Sequence, residues 1–346
     1  MSAFASARSF LKYSAIRAGL EAVALSPSRS LWPAAAGRGL IFTLHHVRPP
    51  SEAFSPNALL SVTPEFLDAA IRTSLEEGLT PVALEDLPRR LADEPERRFV
   101  CFTLDDGFRD NAEHAAPVFR RHGAPYTIFL TQGFVERTRT LWWETAEALV
   151  TRNRSVRFDF GEGVETLPLD TAAQKQGAFL RFAGFVASAE EDAAVARIDR
   201  AARAYGIDPD RLAESLTMSA AEIGTLAQDP LARFGAHTVT HANLRRVPQK
   251  RLEHEIAASI DAVERFTAKR PTSFAFPYGF EAAAGEREFK AAKDAGLELA
   301  VTTRPGVIRD ESLANPTALP RVSLNGLFQK KRYVRALISG VPFKLM

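Results

Sequence analysis

Short apolar runs that alternate with helical patterns constrain the fold of this 346-residue chain more than any other feature. The clearest runs cover residues 40–44, 99–104 and 126–130, and each is long enough for one buried strand. Between the first two, Thr63 and Pro64 form a typical helix start, a capping side chain followed by proline in the first turn. Because strands separated by helices usually pair in parallel, the pattern predicts an α/β fold with a parallel sheet or barrel.

The alternation weakens between about residues 142 and 216, where Ala-rich polar stretches predict helices. Further strand patterns then follow at residues 233–236, 273–276 and 299–302. With 46% hydrophobic residues, the chain can bury a large core. We interpret residues 39–328 as one barrel and residues 142–216 as a helical insertion within it.

Charge is distributed unevenly along the chain, although 44 Lys plus Arg and 42 Asp plus Glu give a net charge of only +2. Residues 1–38 hold five basic residues and one acidic residue, and residues 329–346 hold five basic residues and no acidic one. The near balance excludes a wholly basic nucleic-acid coat, so we expect no nucleic-acid partner. We predict a basic amphipathic N-terminal arm and a basic C-terminal helix or tail, which either pack on the barrel or contact an anionic membrane surface.

The N-terminal apolar residues do not form a continuous export signal, because Arg8, Lys12 and Arg17 interrupt them. No run of eighteen apolar residues is present, so no membrane-spanning segment is predicted. The single cysteine, Cys101, excludes an internal disulfide, and its apolar flanks predict a buried, unreactive thiol. We therefore expect a cytoplasmic protein, with peripheral contact at the inner membrane surface left open.

Two adjacent carboxylates, Asp105 and Asp106, directly follow one predicted strand and precede Gly107. The carboxyl ends of parallel strands are where α/β folds place their active sites. Asp-Asp-Gly is also an ordinary turn sequence, so this pattern alone does not distinguish a site from a turn.

Two histidines, His237 and His241, follow the predicted strand at residues 233–236. If this segment enters a helix, they share one face and suit one metal ion, although a polar surface or a core hydrogen bond is the alternative. Together with one carboxylate they would form an open three-ligand metal site with room for water and substrate.

Weaker candidates lie elsewhere in the chain. Pro277 and Tyr278 follow another predicted strand, and Tyr278 could line a pocket. Trp142, with its neighbour Trp143, could stack on a sugar or pack the insertion. Glu255 follows a histidine as in a metalloprotease helix, but the second histidine is missing, so we predict an exposed helical pair there.

The three motifs, in this order, resemble the polysaccharide deacetylase family, also called the NodB homology family or carbohydrate esterase family 4. Its patterns are T-F-D-D-G, H-[ST]-x-x-H and a later Pro-Tyr segment, which match residues 103–107, 237–241 and 277–278. The resemblance extends from about residue 40 to 325 and is weakest over the insertion. It implies a distorted (β/α) barrel with about seven parallel strands.

The resemblance also implies roles for individual residues. Asp106, His237 and His241 would bind a divalent metal, most simply zinc, with cobalt, nickel or manganese as alternatives. The metal would polarise an acetamido carbonyl and bind the attacking water, while Asp105 takes that water's proton as general base. The implied partner is an N-acetylated glycan such as a chitooligosaccharide, bound by Tyr278, Pro277 and Trp142.

The sequence departs from the family in two catalytic positions. No histidine follows His254, so the late Leu-x-His acid is missing, and Ala275 stands where the family has an arginine. We predict His45 as the substitute acid, against a capping role, and Arg321 as the residue that orients Asp105, against a solvated strand-end charge.

These departures leave the function and the substrate open. A deacetylase of a lipid-linked or capsule-precursor sugar, and a catalytically silent carbohydrate-binding protein that keeps the fold, remain alternatives. The sequence does not indicate an oligomeric state.

Overall fold

A parallel sheet with helices around it forms the body of the protein. The computed structural model describes residues 2–25, 32–51 and 53–344. Its strands are β1 (Gly39–Leu44), β2 (His46–Val47), β3 (Ser61–Val62), β4 (Leu79–Pro81), β5 (Arg98–Leu104), β6 (Tyr126–Leu130), β7 (Ser155–Asp159), β8 (Val164–Pro168), β9 (Ala232–Ala236), β10 (Ser273–Ala275), β11 (Leu299–Val301) and β12 (Val322–Ser323).

The α-helices alternate with these strands over most of the chain. They are α1 (Ser2–Leu25), α2 (Pro64–Glu76), α3 (Leu87–Asp93), α4 (Ala116–His122), α5 (Gln132–Val135), α6 (Trp142–Arg152), α7 (Ala172–Ser188), α8 (Glu191–Ala204), α9 (Pro209–Leu216), α10 (Ala220–Leu226), α11 (Gln249–Thr267), α12 (Glu286–Asp294) and α13 (Lys331–Ile338). As predicted, Thr63 caps α2, because its side chain accepts a hydrogen bond from the backbone N of Phe66.

Seven strands of the main sheet follow the spatial order β11, β10, β9, β6, β5, β1, β12, and each neighbouring pair is parallel. An eighth strand, β4, pairs with the first half of β5, while β6 pairs with its second half. The central strands are buried along almost their whole length, which explains their continuous apolar sequences. Cys101 lies on β5 and is buried, as predicted.

The segment from residue 319 to 323 hydrogen-bonds to both ends of this sheet. Leu319 pairs with β11, where its N donates to Ala300 O at 2.9 Å and its O accepts from Thr302 N at 2.9 Å. Four residues later, Ser323 pairs with Thr43 of β1. The sheet therefore curls into a distorted barrel, which confirms the predicted fold class.

The insertion at residues 142–216 contains a β-hairpin as well as helices. Strands β7 and β8 pair in antiparallel fashion between α6 and α7, an element that the prediction of a helical insertion did not include. Val156 and Phe158 alternate with exposed residues and pack into a core cluster of the insertion, with Phe182 of α7 4.8 Å from Phe158 between ring centroids. A five-residue strand of this kind has too little apolar sequence to stand out from a helix.

Helix α1 packs against α13 and α7. Leu20 and Val23 of α1 are buried with Phe328 and Val341 in a small separate core. Residues 1, 26–31 and 345–346 of the two predicted basic ends lie outside the described residues.

The basic residues of the C-terminal segment mostly have acidic partners. Glu21 of α1 pairs with Lys330 at 3.4 Å and Arg332 at 2.6 Å. Glu76 of α2 pairs with Lys331 and Arg335, both at 2.8 Å. Within the described parts of the chain, every helix falls short of the length or the apolar content needed to cross a bilayer. Peripheral membrane contact through these ends stays a prediction.

Candidate active site

The carboxyl ends of four strands bring the predicted site residues to one edge of the barrel. His45 follows β1, the two aspartates follow β5, His237 follows β9, and the Pro-Tyr loop follows β10. Because all these strands run in the same direction, their carboxyl ends lie at the same edge. A cavity of about 730 Å³ lies there, and its wall includes His45, Asp105, Asp106, His237 and His241.

Asp106, His237 and His241 form a compact, buried group of potential metal ligands, with one ligand atom from each within 4.8 Å of the others. Oδ1 of Asp106 is 3.6 Å from Nε2 of His237 and 3.4 Å from Nε2 of His241. These distances exceed those of good hydrogen bonds, and Oδ1 has no hydrogen-bond partner among the described residues. Burial and the neighbouring Asp105 carboxylate raise the pKa of Asp106, a cost that a bound cation would offset.

The donor set fits a divalent metal. Nδ1 of His237 is 2.6 Å from the backbone O of Ala275, so Nδ1 carries the proton and Nε2 is free to bind a metal. Burial lowers the pKa of His237 and lowers that of His241 well below its usual value, which keeps both imidazoles neutral, as metal ligation requires. One carboxylate and two neutral imidazoles can form an open zinc site.

The loop that carries the two histidines is not helical, so the condition for a shared helix face is not met. Thr238 and His241 have φ angles of 66° and 56°, left-handed conformations that a helix does not contain. Glu255 of α11 stabilises the loop by accepting hydrogen bonds from Val239 N and Thr240 N, both at 2.9 Å. The prediction that Glu255 is exposed is wrong, because this carboxylate is buried beneath the loop.

Arg321 lies on the segment that closes the barrel, and its guanidinium forms a bidentate ion pair with the Asp105 carboxylate. Its Nη1 and Nη2 donate to Oδ1 and Oδ2 of Asp105, both at 2.7 Å, and its Nε donates to Thr302 O at 2.8 Å. Burial alone would raise the pKa of Asp105, but Arg321 and His237 hold that pKa well below its usual value. Asp105 is therefore an ionised carboxylate in a fixed orientation.

His45 lies in the cavity wall, and hydrogen bonds fix the backbone at His45 and two residues further on. Its O accepts a hydrogen bond from Nδ2 of Asn111 at 2.7 Å, and the nearby Val47 N donates to Oδ1 of Asp110 at 3.1 Å. Burial lowers the pKa of His45 to about 4, although the Asp105 carboxylate acts in the opposite direction. The imidazole of His45 is therefore neutral near neutral pH.

The next residue, His46, belongs to a buried ion cluster that the sequence did not indicate. Its Nδ1 is 2.5 Å from Oδ2 of Asp110, and its Nε2 is 3.6 Å from Oε1 of Glu144. Burial opposes a charge on the ring, but the two carboxylates outweigh this and raise the pKa of His46 to about 9. Because Glu144 lies on α6, the cluster ties the insertion to β2.

Of the three predicted substrate-binding residues, Trp142 and Tyr278 line the cavity, whereas Pro277 does not. The Nε1 of Trp142 donates to the hydroxyl of Tyr278 at 3.2 Å, and that hydroxyl donates to Oε1 of Glu191 at 2.7 Å. Glu191 begins α8, so the insertion fixes the Tyr278 ring. Pro277 is buried, and its O accepts from Gly279 N at 2.7 Å, which shapes the turn instead.

Solved structures of deacetylases share this fold. Streptococcus pyogenes deacetylase PplD, in complex with acetate, gives a TM-score of 0.53 at 17% identity and covers 84% of this chain and 92% of its own. BC0361, a polysaccharide deacetylase from Bacillus cereus, gives a TM-score of 0.53 at 15% identity, and the match covers 86% of this chain and 68% of BC0361. IcaB from Ammonifex degensii gives a TM-score of 0.52 at 15% identity, and the match covers 83% of this chain and 92% of IcaB. At these identities the similarity establishes the fold alone.

Comparison of the sequence with protein-family models identifies the family of this chain. No curated protein matches this chain by sequence. The family model of polysaccharide deacetylase, however, matches residues 92–158 and 191–300, which is just over half of the chain and includes both the aspartate pair and the histidine pair. The chain therefore belongs to the polysaccharide deacetylase family, whose members are hydrolases of carbon–nitrogen bonds other than peptide bonds.

Proposed function

We propose that this protein removes N-acetyl groups from amino-sugar oligomers or polysaccharides, with chitooligosaccharides as the model substrate. The observation that carries the proposal is the buried triad of Asp106, His237 and His241 beside Asp105, whose carboxylate Arg321 holds ionised. A protein that only binds sugars needs no such pairing of a potential metal site with an oriented base.

The three residues of the triad would hold one divalent metal ion. We propose zinc, because one carboxylate and two imidazoles suit it, and cobalt, nickel or manganese are the alternatives. When bound, the ion supplies Lewis acidity that polarises an amide carbonyl and lowers the pKa of water.

Asp105 acts as the general base in this proposal. Its carboxylate takes a proton from the attacking water as the water oxygen bonds to the acetamido carbon. Arg321 keeps the carboxylate ionised and aligned, since its two hydrogen bonds occupy both carboxylate oxygens at 2.7 Å. The remaining lone pairs of those oxygens accept the proton.

His45 acts as the acid that completes the reaction. It starts neutral, so it first receives the proton that Asp105 has taken and then passes that proton to the amine nitrogen. The carbon–nitrogen bond breaks as the nitrogen is protonated, and acetate and a free amino sugar leave. This relay supplies the step for which the family uses a late histidine.

The Pro-Tyr loop orients the acetamido group. The backbone N–H of Tyr278 is the proposed donor to the oxyanion that forms during attack. Tyr278 has a φ angle of 62°, and its ring is held by Glu191, so the direction of this peptide is set by the fold. Trp142 offers an aromatic face to the sugar.

The test is acetate release from N-acetylated chitooligosaccharides by the zinc-loaded protein. We expect release that a chelator abolishes and that zinc restores, and we expect Asp105→Asn to lower turnover by about 10² to 10⁴. His45→Gln should lower turnover as well. Full metal occupancy without acetate release from any N-acetylated sugar would contradict the proposal and favour a silent binding protein.

A further inference from the structure

The cavity beside the triad has a wall that is largely hydrocarbon. Leu59, Leu60, Leu180 and Leu327 line it together with Phe179. They come from separate parts of the chain: the loop before β3, helix α7 and the loop before α13. Because three separate segments each contribute apolar side chains, the apolar surface belongs to the cavity as a whole and not to one helix face.

The leucine side of this wall is poorly suited to a sugar chain, whereas Trp142 and Trp143 line another part of the cavity. Aromatic rings can stack on the flat faces of sugars, but branched aliphatic side chains offer neither a flat face nor a hydrogen bond. A sugar carries hydroxyl groups on most of its carbons, and each one buried against leucine loses its hydrogen bonds to water without replacement.

Three polar side chains of the wall are already engaged within the protein, whereas Gln176 and the buried Nε1 of Trp143 are not part of these contacts. Nδ2 of Asn57 donates to Trp143 O at 3.0 Å, and the hydroxyl of Ser55 donates to Oε2 of Glu147 at 2.8 Å. The hydroxyl of Tyr278 is held by Glu191, as described above. These groups therefore have less capacity to replace the water that solvates a sugar chain.

Charge is also missing from the wall. Apart from the two catalytic-centre aspartates and the histidines, the cavity-lining residues of the described chain include no Asp, Glu, Lys or Arg. An ionic polymer would find no partner for its charges there, whereas an uncharged hydrocarbon needs none.

Much of the aliphatic wall also comes from parts of the chain that the family model does not match. Tyr13, Leu59, Leu180 and Leu327 all lie outside the matched residues 92–158 and 191–300, whereas the triad lies inside them. The potential metal ligands and Asp105 thus lie in the part shared with the family, whereas these four wall residues are supplied by segments outside it.

We propose that the substrate of this cavity is an amino sugar that carries a hydrocarbon chain, an inference that rests on the proposed N-deacetylase function. The chain is either attached to the sugar as a lipid aglycone or is the N-acyl group itself, and in both cases it packs against the leucines. A cavity of about 730 Å³ falls in the range of roughly 300 to 1,000 Å³ that encloses a whole small ligand.

The experiment compares two series of substrates on the zinc-loaded full chain. One series is methyl, butyl, hexyl and octyl N-acetyl-β-glucosaminide, used below their micelle concentrations. The other is methyl glucosaminide carrying N-acetyl, N-butanoyl or N-hexanoyl groups. We expect kcat/KM, followed as amine release, to rise about threefold to fourfold per buried methylene in one series and to level off once the cavity is filled.

Two variants locate the effect. Leu180→Gln and Leu59→Gln should each flatten the dependence of kcat/KM on chain length, because an amide in the wall disfavours a hydrocarbon. The ratio of the long-chain to the methyl substrate is measured on one preparation, so partial unfolding cancels. Leu75→Gln, on the exposed side of α2 and outside the cavity, is the matched control and should keep the wild-type ratio.

The outcomes separate this inference from the proposed function. Release from chitooligosaccharides and from both series without any gain from chain length would overturn the inference and leave the deacetylase intact. No release from any substrate would contradict the deacetylase itself. A gain in the glycoside series alone identifies a lipid aglycone, and a gain in the N-acyl series alone identifies a longer acyl group.

Discussion

Replacing Arg321 by methionine tests whether this side chain holds the base. Arg321 is fully buried, and its guanidinium makes two hydrogen bonds of 2.7 Å to Asp105 and one of 3.0 Å to Thr103. Methionine fills a similar volume but leaves the Asp105 carboxylate buried without a counterion. Breaking a buried ion pair in this way costs about 3 to 5 kcal/mol of folding free energy.

A double-mutant cycle isolates the pair. Asp105→Asn alone leaves the guanidinium unpaired, whereas Arg321→Met combined with Asp105→Asn removes both charges. The double variant should therefore be less destabilised than the sum of the single variants by at least about 1 kcal/mol. Urea unfolding at constant pH and constant zinc concentration gives the four free energies.

Activity gives a second readout. Arg321→Lys keeps the positive charge but cannot form the parallel pair of hydrogen bonds, so it should retain more stability than methionine yet still lose turnover. We expect kcat for acetate release to fall by about 10² or more in both variants. If the free-energy costs of Arg321→Met and Asp105→Asn simply added in the double variant, or if Arg321→Met kept the wild-type kcat, Arg321 would not hold the base as argued.

Three further changes test other parts of the site. Glu255→Gln should weaken zinc affinity about 10- to 100-fold by loosening the histidine loop, measured by metal competition, whereas Glu253→Gln on the exposed side of α11 should not. His46→Asn should destabilise the protein most below pH 6.5, because the folded state raises the pKa of His46. The pH-dependent part of this cost, at most about 3 kcal/mol, should be lost as pH rises through 9, and the cost of the lost packing then remains. Urea midpoints from pH 6 to 10 check this, and a cost that does not vary with pH would contradict it. Zinc should raise the melting temperature of the wild type by mass action, and Asp106→Asn should reduce that rise; an equal rise in both would exclude Asp106 as a ligand.

The barrel and the clustering of the candidate site residues could be predicted because their signals are local. Continuous apolar runs marked β5 and β6, and the aspartate pair followed β5 directly in sequence. The spacing of His237 and His241 indicated that the two side chains belong together. It did not indicate the backbone of their loop, since a left-handed residue leaves no pattern in neighbouring side chains.

The supporting residues could not be predicted, since their partners lie far away in sequence. Glu191 reaches Tyr278 across 87 residues, and Glu255 binds the histidine loop from the next helix. Each is an ordinary charged helix residue in sequence, and only the folded chain shows that its face is buried. Arg321 is an exception, because the absence of the family arginine indicated that another arginine could orient Asp105. The structure places the guanidinium of Arg321 on the Asp105 carboxylate, and its catalytic role stays a proposal.

The closure of the barrel by the segment from residue 319 to 323 has a consequence for synthesis on the ribosome. Asp105 and the arginine that neutralises it are separated by 216 positions, so the carboxylate is made long before its counterion. Until that segment emerges, β1 also has an unpaired edge, which can pair with other chains. A nascent chain released before residue 321 would carry every proposed metal ligand yet lack both the counterion and the strand that seals the sheet, and would become a target for chaperones and proteases.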